Sequence, residues 1–422
     1  MKNDQRFQNV IKIRKRFNFI RKSFRADTKV FIPLIFLSAL IIRLCFAILT
    51  PAWQSADEYP HYWVIEKIAS THALPESTPE FPSYEAFQPP LYYIIAAFVA
   101  ELYPEKLTFS STPASPPALL IMLRLLSVIA GVFILYFSYL IFKNIPDLKF
   151  KDILLSLLFL SFLPTFVGVT STVNNDTFAI LFSTISLYYL TQKKWDVNIA
   201  FMSGLWAGIA ILTKLTSVVL VPVIAFRIIT CSRGKINRMI KWGAASFLAW
   251  SIGAVILIIR NIIQYGSLPA VNPGVQTHFS ISGGHFIWAL RNLFWSFWMA
   301  FGRIYQVIPN PIVYLVIALP LTILAIAGWF RIYKDHDALL QLIAVAVFFS
   351  ILSSLFYTFS YLPGTMTSWG KNLYPVLPFF AIFFVVGWNS VSGRFPSSLS
   401  ISAVLMMLIG SVWALFQLIT MR

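Results

Sequence analysis

Charged side chains are scarce in this sequence. Asp, Glu, Lys and Arg make up 12% of its 422 residues, whereas soluble proteins carry about 25%, and hydrophobic residues make up 58%. This composition excludes an ordinary soluble enzyme. Cysteine is nearly absent, since Cys45 and Cys231 are the only two. Both lie at the ends of hydrophobic segments that we place on opposite sides of a membrane, which excludes a disulfide between them.

Long apolar runs make up most of the chain. A membrane-spanning helix needs about 20 apolar residues. The sequence therefore predicts an all-α polytopic membrane protein with about 11 spanning helices, in a range of about 10–13. The predicted spans are 30–50, 117–142, 152–170, 176–191, 198–212, 215–230, 240–260, 310–331, 338–359, 373–390 and 398–420.

The basic residues are distributed unevenly between the two ends of these spans. With a cytoplasmic N-terminus, 23 of the 33 Lys and Arg residues fall in the inner connections, which is the bias that the positive-inside rule describes. We predict a cytoplasmic N-terminus, outer loops at 51–116 and 261–309, and a location in a bacterial inner (plasma) membrane. Because topology accounts for the net charge of +17, no nucleic-acid partner is predicted.

Three apolar stretches do not fit a simple span. Residues 89–103 begin with two prolines and residues 286–305 contain two arginines, so we predict that both form helices at the outer surface. Residues 198–230 would form a helix of about 50 Å, and the basic residues on both flanks require an even number of crossings. We predict a break near Thr213 and Lys214 at the outer face.

Acidic residues are rare, but they concentrate in the first outer loop. All seven glutamates lie within 51–116, together with Asp57. Ser55 and Glu58 have the spacing of a capping box, which predicts a helix that begins just after Ser55. Asp57 and Glu58 are then about 100° apart around the helix, so one faces a substrate and the other is structural. His61 lies one turn from both. A well-capped surface helix is the alternative interpretation.

Further ionisable residues lie near the outer half of the predicted membrane: Asp176, Lys214, Arg260 and Lys371. Ionisable residues at this depth commonly face a cavity or a partner. Together with the acidic loop they suit a reaction on a lipid phosphate that enters from the bilayer. The cations would hold the phosphate, and the carboxylates would activate the attacking group. The alternative is that these side chains snorkel to the interface, Lys371 in particular.

Several short motifs occur in an order that resembles one enzyme superfamily. They are SADEYPHYW at 55–63, FQPPLYY at 87–93, RLLSVIAG at 124–131, NNDTFAILF at 174–182 and LTKLTSVVLVP at 212–222. The chain resembles the integral-membrane GT-C glycosyltransferases, on the side of the protein O-mannosyltransferases and the lipid A aminoarabinose transferases. RNIIQYGSLP, SFWMAFGRIYQVIP and SWGKNLYPVLP resemble an uncharacterised bacterial membrane-protein family related to them. The resemblance extends over about 30–390 and implies a GT-C-type bundle with juxtamembrane helices at the outer face.

The resemblance implies roles for individual residues. It implies a catalytic pair at Asp57 and Glu58, in which Asp57 is the base or a neighbour of a metal, an acidic residue of the second outer loop at Asp176, and a phosphate contact at Lys214. It also implies a polyprenyl-phosphate sugar as donor. A divalent cation, Mg²⁺ or Mn²⁺, between Asp57 and Asp176 is left open.

The remaining predicted substrate-binding residues are His61, Gln88, Arg260 and Lys371. Two of them depart from the pattern of the relatives, which often have His at the position of Gln88 and Gly-Arg-Tyr at the position of Lys371 and Asn372. With these departures, the resemblance implies neither metal dependence nor a specific substrate.

Three regions are expected along the chain. They are a basic amphipathic cytoplasmic segment at 1–29, a GT-C-like catalytic module at 30–230 and a C-terminal transmembrane module at 231–422. In the first region, hydrophobic residues recur at spacings of three and four, which is typical of a helix on an anionic membrane surface. A disordered basic tail is the alternative.

The leading functional hypothesis is an inverting glycosyltransferase that acts at the outer membrane face. It would transfer a sugar from a polyprenyl-phosphate donor to a hydroxyl of a glycan, lipid or protein acceptor. A lipid or glycan flippase, or another transporter, is the main alternative, because intramembrane charges and broken helices also occur there. A non-catalytic membrane subunit is the third hypothesis. The absence of a visible internal repeat disfavours the transporter.

Overall fold

The computed structural model describes most of the chain as a bundle of helices. The described residues are 30–76, 85–104, 117–266, 279, 281–302, 309–335, 337–360, 369–392 and 398–420. Within these ranges the elements are all helical, with no β-strand among them. The predicted amphipathic segment at 1–29 lies outside the described residues.

The helices follow one another along the chain with short connections. The first eight are α1 (Val30–Leu49), α2 (Glu58–Thr71), α3 (Leu91–Glu101), α4 (Pro117–Asn144), α5 (Phe150–Phe162), α6 (Pro164–Val169), α7 (Asp176–Leu190) and α8 (Val197–Ile211). A 3₁₀ helix at Leu215–Val219 leads into α9 (Leu220–Ser232), and α10 (Ile236–Tyr265) and α11 (Gly283–Trp298) come next.

The described part of the chain after α11 adds five further helices. They are α12 (Pro311–Val313), α13 (Leu319–Tyr333), α14 (Ala338–Phe359), α15 (Leu377–Ser392) and α16 (Ser398–Thr420). A π-helical turn at Tyr314–Ala318 joins α12 to α13, and a 3₁₀ helix at Gly370–Val376 leads into α15.

The prediction of an all-α polytopic membrane protein is confirmed. Seven helices of the described part are long and apolar enough to cross a membrane. The other predicted spans are also helical, but they are shorter or interrupted. For example, 152–170 is divided into α5 and α6 at Leu163, whose backbone is extended and which precedes Pro164. The count of eleven spans stays a prediction.

The predicted interruption of 198–230 is present. Helix α8 ends at Ile211, the backbone of Lys214 is extended, and helical geometry resumes at Leu215. The stretches 89–103 and 286–305 contain the short helices α3 and α11. Their position at the outer membrane surface stays a prediction.

Small residues allow the closest helix contacts in the bundle. Gly328 of α13 and Gly387 of α15 face each other so closely that a Cβ atom at Gly328 would overlap the carbonyl oxygen of Phe383. Glycines 204 and 208 of α8 pack in the same way against the backbone of α10. Such contacts let helices associate where the hydrophobic effect between them is weak.

These contacts predict opposite effects of the same substitution at two glycines. Gly328→Ala is expected to lower the apparent Tm, because overpacking against a backbone typically costs about 1–3 kcal/mol. Gly243→Ala in α10 meets no atom within 4 Å and is expected to keep or raise Tm, since alanine favours a helix by about 0.5–1 kcal/mol over glycine. Thermal unfolding in detergent measures both. Equal shifts would contradict the close packing at Gly328.

Candidate active site

One end of the bundle collects most of the predicted site residues. The segment before α2, the N-terminus of α7, the break between α8 and α9, and the 3₁₀ helix at Gly370–Val376 all meet there. The remaining residues of this end come from the segment at 85–90 and from α3. Each element therefore presents one or two polar side chains to a common region.

The start of α2 differs from the predicted capping box. The helix begins at Glu58, and Asp57 at the N-cap position has a left-handed backbone with φ of 59° and makes no side-chain cap hydrogen bond. Ser55 does not cap the helix by its side chain either; its carbonyl oxygen accepts the N–H of Glu58 at 3.4 Å. The prediction of a capping box is therefore wrong. The carboxylate of Glu58 has a stronger partner elsewhere, which local spacing does not reveal.

That partner is Arg124 of α4. Its Nε donates to Oε1 of Glu58 at 2.8 Å and its Nη2 donates to Oε2 at 2.6 Å, with both side chains buried. Arg124 also donates to the carbonyl oxygens of Ala47 and Thr50, and the N–H of Val173 donates to Glu58. This bidentate pair ties the end of α1, the start of α2, α4 and the α6–α7 turn together.

Glu58 therefore does not fit the catalytic role that was predicted for it. Both of its oxygens are occupied by buried donors, and the residue has no exposed surface. The carboxylate of Asp57 instead points toward the ammonium group of Lys371. The geometry gives Glu58 the structural place in this pair; that Asp57 faces a substrate stays a prediction.

Two carboxylates and two ammonium groups form the centre of the site. Nζ of Lys371 lies 3.1 Å from Oδ2 of Asp57 and 3.1 Å from Oδ2 of Asp176. Nζ of Lys214 donates to Oδ1 of Asp176 at 2.6 Å. Asp57 is the most exposed of these side chains, at 26%, whereas that of Asp176 is 3% exposed. We call these four residues the Asp–Lys cluster, whose formal charge is zero.

Local structure fixes each member of the Asp–Lys cluster. Asp176 is the first residue of α7, and the preceding turn is held by Asn174, whose Oδ1 accepts the N–H of Thr177 at 3.0 Å. Lys214 occupies the extended residue at the helix break. Lys371 follows Gly370, and a Cβ at Gly370 would overlap the backbone of Phe297 in α11. The N–H of Gly370 also donates to Ser296 Oγ at 2.7 Å.

A divalent cation between Asp57 and Asp176 does not fit this arrangement. The ammonium group of Lys371 lies within 3.1 Å of both carboxylates, where a bridging ion would have to lie. Mg²⁺ or Ca²⁺ would need about six oxygen ligands. The described residues contain no group of three or more His, Cys, Asp and Glu side chains that could hold a metal ion. The predicted metal position thus holds a lysine side chain.

A second polar group lies beside the cluster and involves His61. Its Nδ1 lies 2.8 Å from the hydroxyl of Tyr93, which donates to Oε2 of Glu85 at 3.4 Å. Burial lowers the pKa of His61 to about 3. Burial, with Asp57 nearby, raises the pKa of Glu85 to about 8. At neutral pH His61 is uncharged and Glu85 retains its proton, so this group adds hydrogen-bonding capacity without charge.

The His61 ring has its hydrogen-bond partner in Tyr93 rather than in Asp57 or Glu58, although the charge of Asp57 is near enough to act on the pKa of His61. Its backbone N–H bonds to the carbonyl oxygen of Asp57, and its ring turns toward Tyr93 of α3, on which it stacks. Residues Glu85 and Tyr93 were not among the predicted site residues. Their relevance depends on α3 packing against α2, which the spacing within either helix does not show.

Glu85 predicts a pH dependence of stability. Its pKa in the folded state, about 8, exceeds the ordinary value, so between these two pH values the folded protein binds more protons than the unfolded chain. Stability must then fall as pH rises through this window. Glu85→Gln is expected to leave Tm unchanged at pH 4 and to raise it at pH 8. Tm measured across pH checks this; a parallel profile for wild type and variant would contradict it.

Arg260 and Gln88 lie beside the cluster rather than in it. Nη1 of Arg260 donates to the carbonyl oxygen of Phe87 at 2.9 Å, and Nη2 donates to that of Ala86 at 2.7 Å. The backbone N–H of Gln88 donates to the carbonyl oxygen of Glu85 at 3.1 Å. Arg260 thus holds the turn that carries Glu85 and Gln88. This geometry fits a positioning role better than the direct phosphate contact predicted from its place at the end of a span.

Known proteins resemble this chain in sequence and in fold. Residues 119–259 match the family model of the dolichyl-phosphate-mannose-protein mannosyltransferases, which is less than half of the chain. The solved structure of ArnT from Cupriavidus metallidurans in the apo state aligns with a TM-score of 0.59 and 13% identity, over 90% of this chain and 62% of that one. The chain has the GT-C fold.

Two further structures agree with this assignment. ArnT from Cupriavidus metallidurans bound to undecaprenyl phosphate aligns with a TM-score of 0.58 and 14% identity, over 92% of this GT-C-fold chain and 71% of that one. AglB from Archaeoglobus fulgidus, in complex with an inhibitory peptide and a dolichol-phosphate, aligns with a TM-score of 0.50 and 10% identity, over 91% of this chain and 55% of that one. No curated protein matches in sequence. The prediction of a GT-C-type fold is thus confirmed.

The GT-C-fold chain is shorter than these neighbours and spans less than two thirds of apo ArnT. The sequence match at 119–259 contains Asp176 and Lys214, whereas Asp57 and Lys371 lie outside it. The latter two are joined to the matched region by the contacts of the Asp–Lys cluster.

Proposed function

We propose that this GT-C-fold protein is a membrane glycosyltransferase that moves a sugar from a polyprenyl-phosphate donor to an acceptor hydroxyl. One observation carries the proposal: a partly exposed carboxylate, Asp57, is joined through the ammonium of Lys371 to a buried Asp176–Lys214 pair. Two ammonium groups suit a lipid phosphate, and the partly exposed carboxylate of Asp57 suits an attacking hydroxyl. The fold shared with undecaprenyl-phosphate-bound ArnT supports the choice of donor.

The proposed reaction is a single displacement. The acceptor oxygen forms a bond to the anomeric carbon while the bond from that carbon to the phosphate oxygen breaks. Asp57 takes the proton of the acceptor hydroxyl, and polyprenyl phosphate departs with the electron pair. Attack from the side opposite the phosphate inverts the anomeric configuration.

Charge balance in the Asp–Lys cluster follows this reaction. Before transfer the cluster has a net charge of zero, because two carboxylates face two ammonium groups. When Asp57 accepts a proton, the net charge of the cluster becomes positive at the moment when the departing phosphate gains negative charge. Lys214 and Lys371 then face the developing charge without a competing carboxylate at Asp57, which stabilises the transition state.

Glu58 and Arg260 have positioning roles in this proposal. The Glu58–Arg124 pair holds Asp57 at the start of α2, and Arg260 holds the turn at 85–88. His61, Tyr93 and Glu85 provide uncharged hydrogen-bonding groups beside the reacting atoms, which suit sugar or acceptor hydroxyls. We place the reaction at the outer membrane face, as the distribution of basic residues predicts.

The test uses purified protein in lipid vesicles with a panel of polyprenyl-phosphate sugars and a membrane glycan extract. Mass spectrometry follows free polyprenyl phosphate and the new glycosidic product, and NMR of the product reads the anomeric configuration. Release of polyprenyl phosphate with an inverted product is expected from one donor. Donor lipid that changes leaflet without any glycosidic product would instead favour a flippase. A folded protein that neither releases nor moves any donor would overturn the proposal.

A further inference from the structure

A second polar cavity lies at the end of the bundle opposite the Asp–Lys cluster. It has a volume of about 470 Å³ and lies between the α4–α5 and α7–α8 turns, the end of α9 and the starts of α10 and α14. Helices α7 and α9 begin near Asp176 and Lys214, so their other ends are about 20 Å away along the bundle. This cavity is therefore separate from the proposed active site.

The cavity is strongly basic. Its lining includes Lys193, Arg227, Arg233 and Arg238, and Asp337 is the single acidic side chain among the described lining residues. The carboxylate of Asp337 already accepts the N–H groups of the first turn of α14. Four cations facing one occupied carboxylate leave an excess of positive charge. Such a cavity attracts an anion.

Arg227 supplies the second, independent observation. The residue is only 5% exposed, yet its Nε has no hydrogen-bond partner among the described residues. Its Nη2 donates to the carbonyl oxygen of Gln192, and its guanidinium lies 5.9 Å from the ring centre of Trp195. Nε1 of Trp195 is also buried without a described partner. Unsatisfied buried donors at a basic cavity are a place for a ligand with acceptor oxygens.

A groove of about 310 Å³ between α9 and α10 indicates what kind of anion fits. Its lining is almost entirely apolar and includes Ile228, Met239 and Gly243. These residues directly follow Arg227, Arg238 and Trp242 of the basic cavity in the sequence. The basic cavity and the apolar groove are therefore adjacent surfaces of α9 and α10. Together they can hold a phosphate headgroup and the apolar chain attached to it. Trp195 and Trp242, with ring centres 6.0 Å apart, are residues that favour the headgroup region.

We propose that the basic cavity binds the phosphate of an anionic phospholipid, with an acyl chain in the groove between α9 and α10. Arg227 and Arg238 would donate to the phosphate oxygens, and Trp195 would donate through Nε1. The negative charge of phosphatidylglycerol or a similar lipid is opposite in sign to the excess positive charge of the lining. This site is independent of the proposed glycosyl transfer, because the lipid is bound and not consumed.

The test is native mass spectrometry of the full chain released from nanodiscs of equal phosphatidylglycerol and phosphatidylethanolamine. Wild type is expected to retain phosphatidylglycerol selectively. Two variants are each expected to weaken retention about tenfold, as lost charge-assisted hydrogen bonds to phosphate do. The first is Arg238→Gln, which changes an exposed lining residue and should leave folding intact. The second is Arg227→Lys, which removes Nε but keeps the charge. The control is Lys241→Gln, one turn from Arg238 on α10 and outside the cavity, which should retain the lipid.

Two further arms separate a lipid from free phosphate. Gly243→Phe fills the groove without changing charge and is expected to weaken phosphatidylglycerol binding. Inorganic phosphate at millimolar concentration should compete with the lipid only weakly in wild type. Equal retention of the two lipids, or loss in Lys241→Gln equal to that in Arg238→Gln, would overturn the proposal. Full displacement by inorganic phosphate with no effect of Gly243→Phe would assign the cavity to a soluble phosphate instead.

Discussion

Asp57→Asn is expected to lower kcat for sugar transfer by about 10²–10⁴-fold, the contribution of a positioned general base. Asparagine is isosteric with aspartate and also tolerates the left-handed backbone found at this position. The variant should therefore fold normally and still bind the donor, but it cannot accept the proton. Initial rates of polyprenyl-phosphate release, at saturating donor and acceptor, measure the loss. Donor KM should not rise, because the substitution removes a carboxylate charge that competes with the donor phosphate for Lys371.

The matched control for this substitution is Asp196→Asn. Asp196 caps α8 at the end of the bundle away from the Asp–Lys cluster, and asparagine caps a helix about as well as aspartate. Its activity should equal that of wild type. If Asp57→Asn retains more than about a tenth of the wild-type kcat, a loss below what general-base catalysis contributes, Asp57 is not the base. The reaction would then need another proton acceptor.

Lys371→Met is expected to cause the second large loss, about 10²–10³-fold in kcat, as for removal of one donor that stabilises a developing anion. The substitution also leaves the carboxylates of Asp57 and Asp176 facing each other without the intervening ammonium, so donor binding weakens as well. Donor KM should therefore rise as kcat falls, unlike in Asp57→Asn. Steady-state kinetics on both substrates separate the two patterns.

Lys194→Met is the control for lost positive charge, because Lys194 is exposed in the α7–α8 turn. It should keep wild-type kinetics. EDTA gives a further check, since Lys371 lies where a bridging cation would have to lie and wild-type rates should not respond to the chelator. A rate that disappears with EDTA and returns with Mg²⁺ would mean that the cluster rearranges around an ion, contrary to the contacts of Lys371.

The sequence could predict those features of the site that depend on local geometry or on membrane topology. The length of the apolar run 198–230 and the basic residues on both of its flanks predict a helix break near Lys214, and the structure has the break there. Charge bias placed Asp57, Asp176, Lys214 and Lys371 on one side of the membrane, and the structure brings these four side chains into contact. Their catalytic roles stay proposals.

The partners of buried charges could not be predicted in this way. Glu58 pairs with Arg124, which lies 66 positions further along the chain, and this depends on the register of α4 against α2. The Glu58 carboxylate forms this ion pair instead of the capping box with Ser55 that the local spacing predicts. Arg260 was expected at a phosphate but binds the carbonyl oxygens of Ala86 and Phe87, because the turn at 85–88 folds back over the end of α10. Both outcomes are set by tertiary packing rather than by spacing.

The neutrality of the Asp–Lys cluster has a consequence for competition between ligands. The charges of Lys214 and Lys371 are already matched by aspartates, so these lysines exert little long-range attraction on anions. The association rate of soluble phosphates and nucleotides with the site is therefore not raised by electrostatic steering. A ligand that shares the membrane with the protein has a high effective concentration, as tethered ligands do. It can displace the internal carboxylates by mass action. Under the proposed function, the site would thus select its ligand by where the ligand resides, before any sugar is recognised.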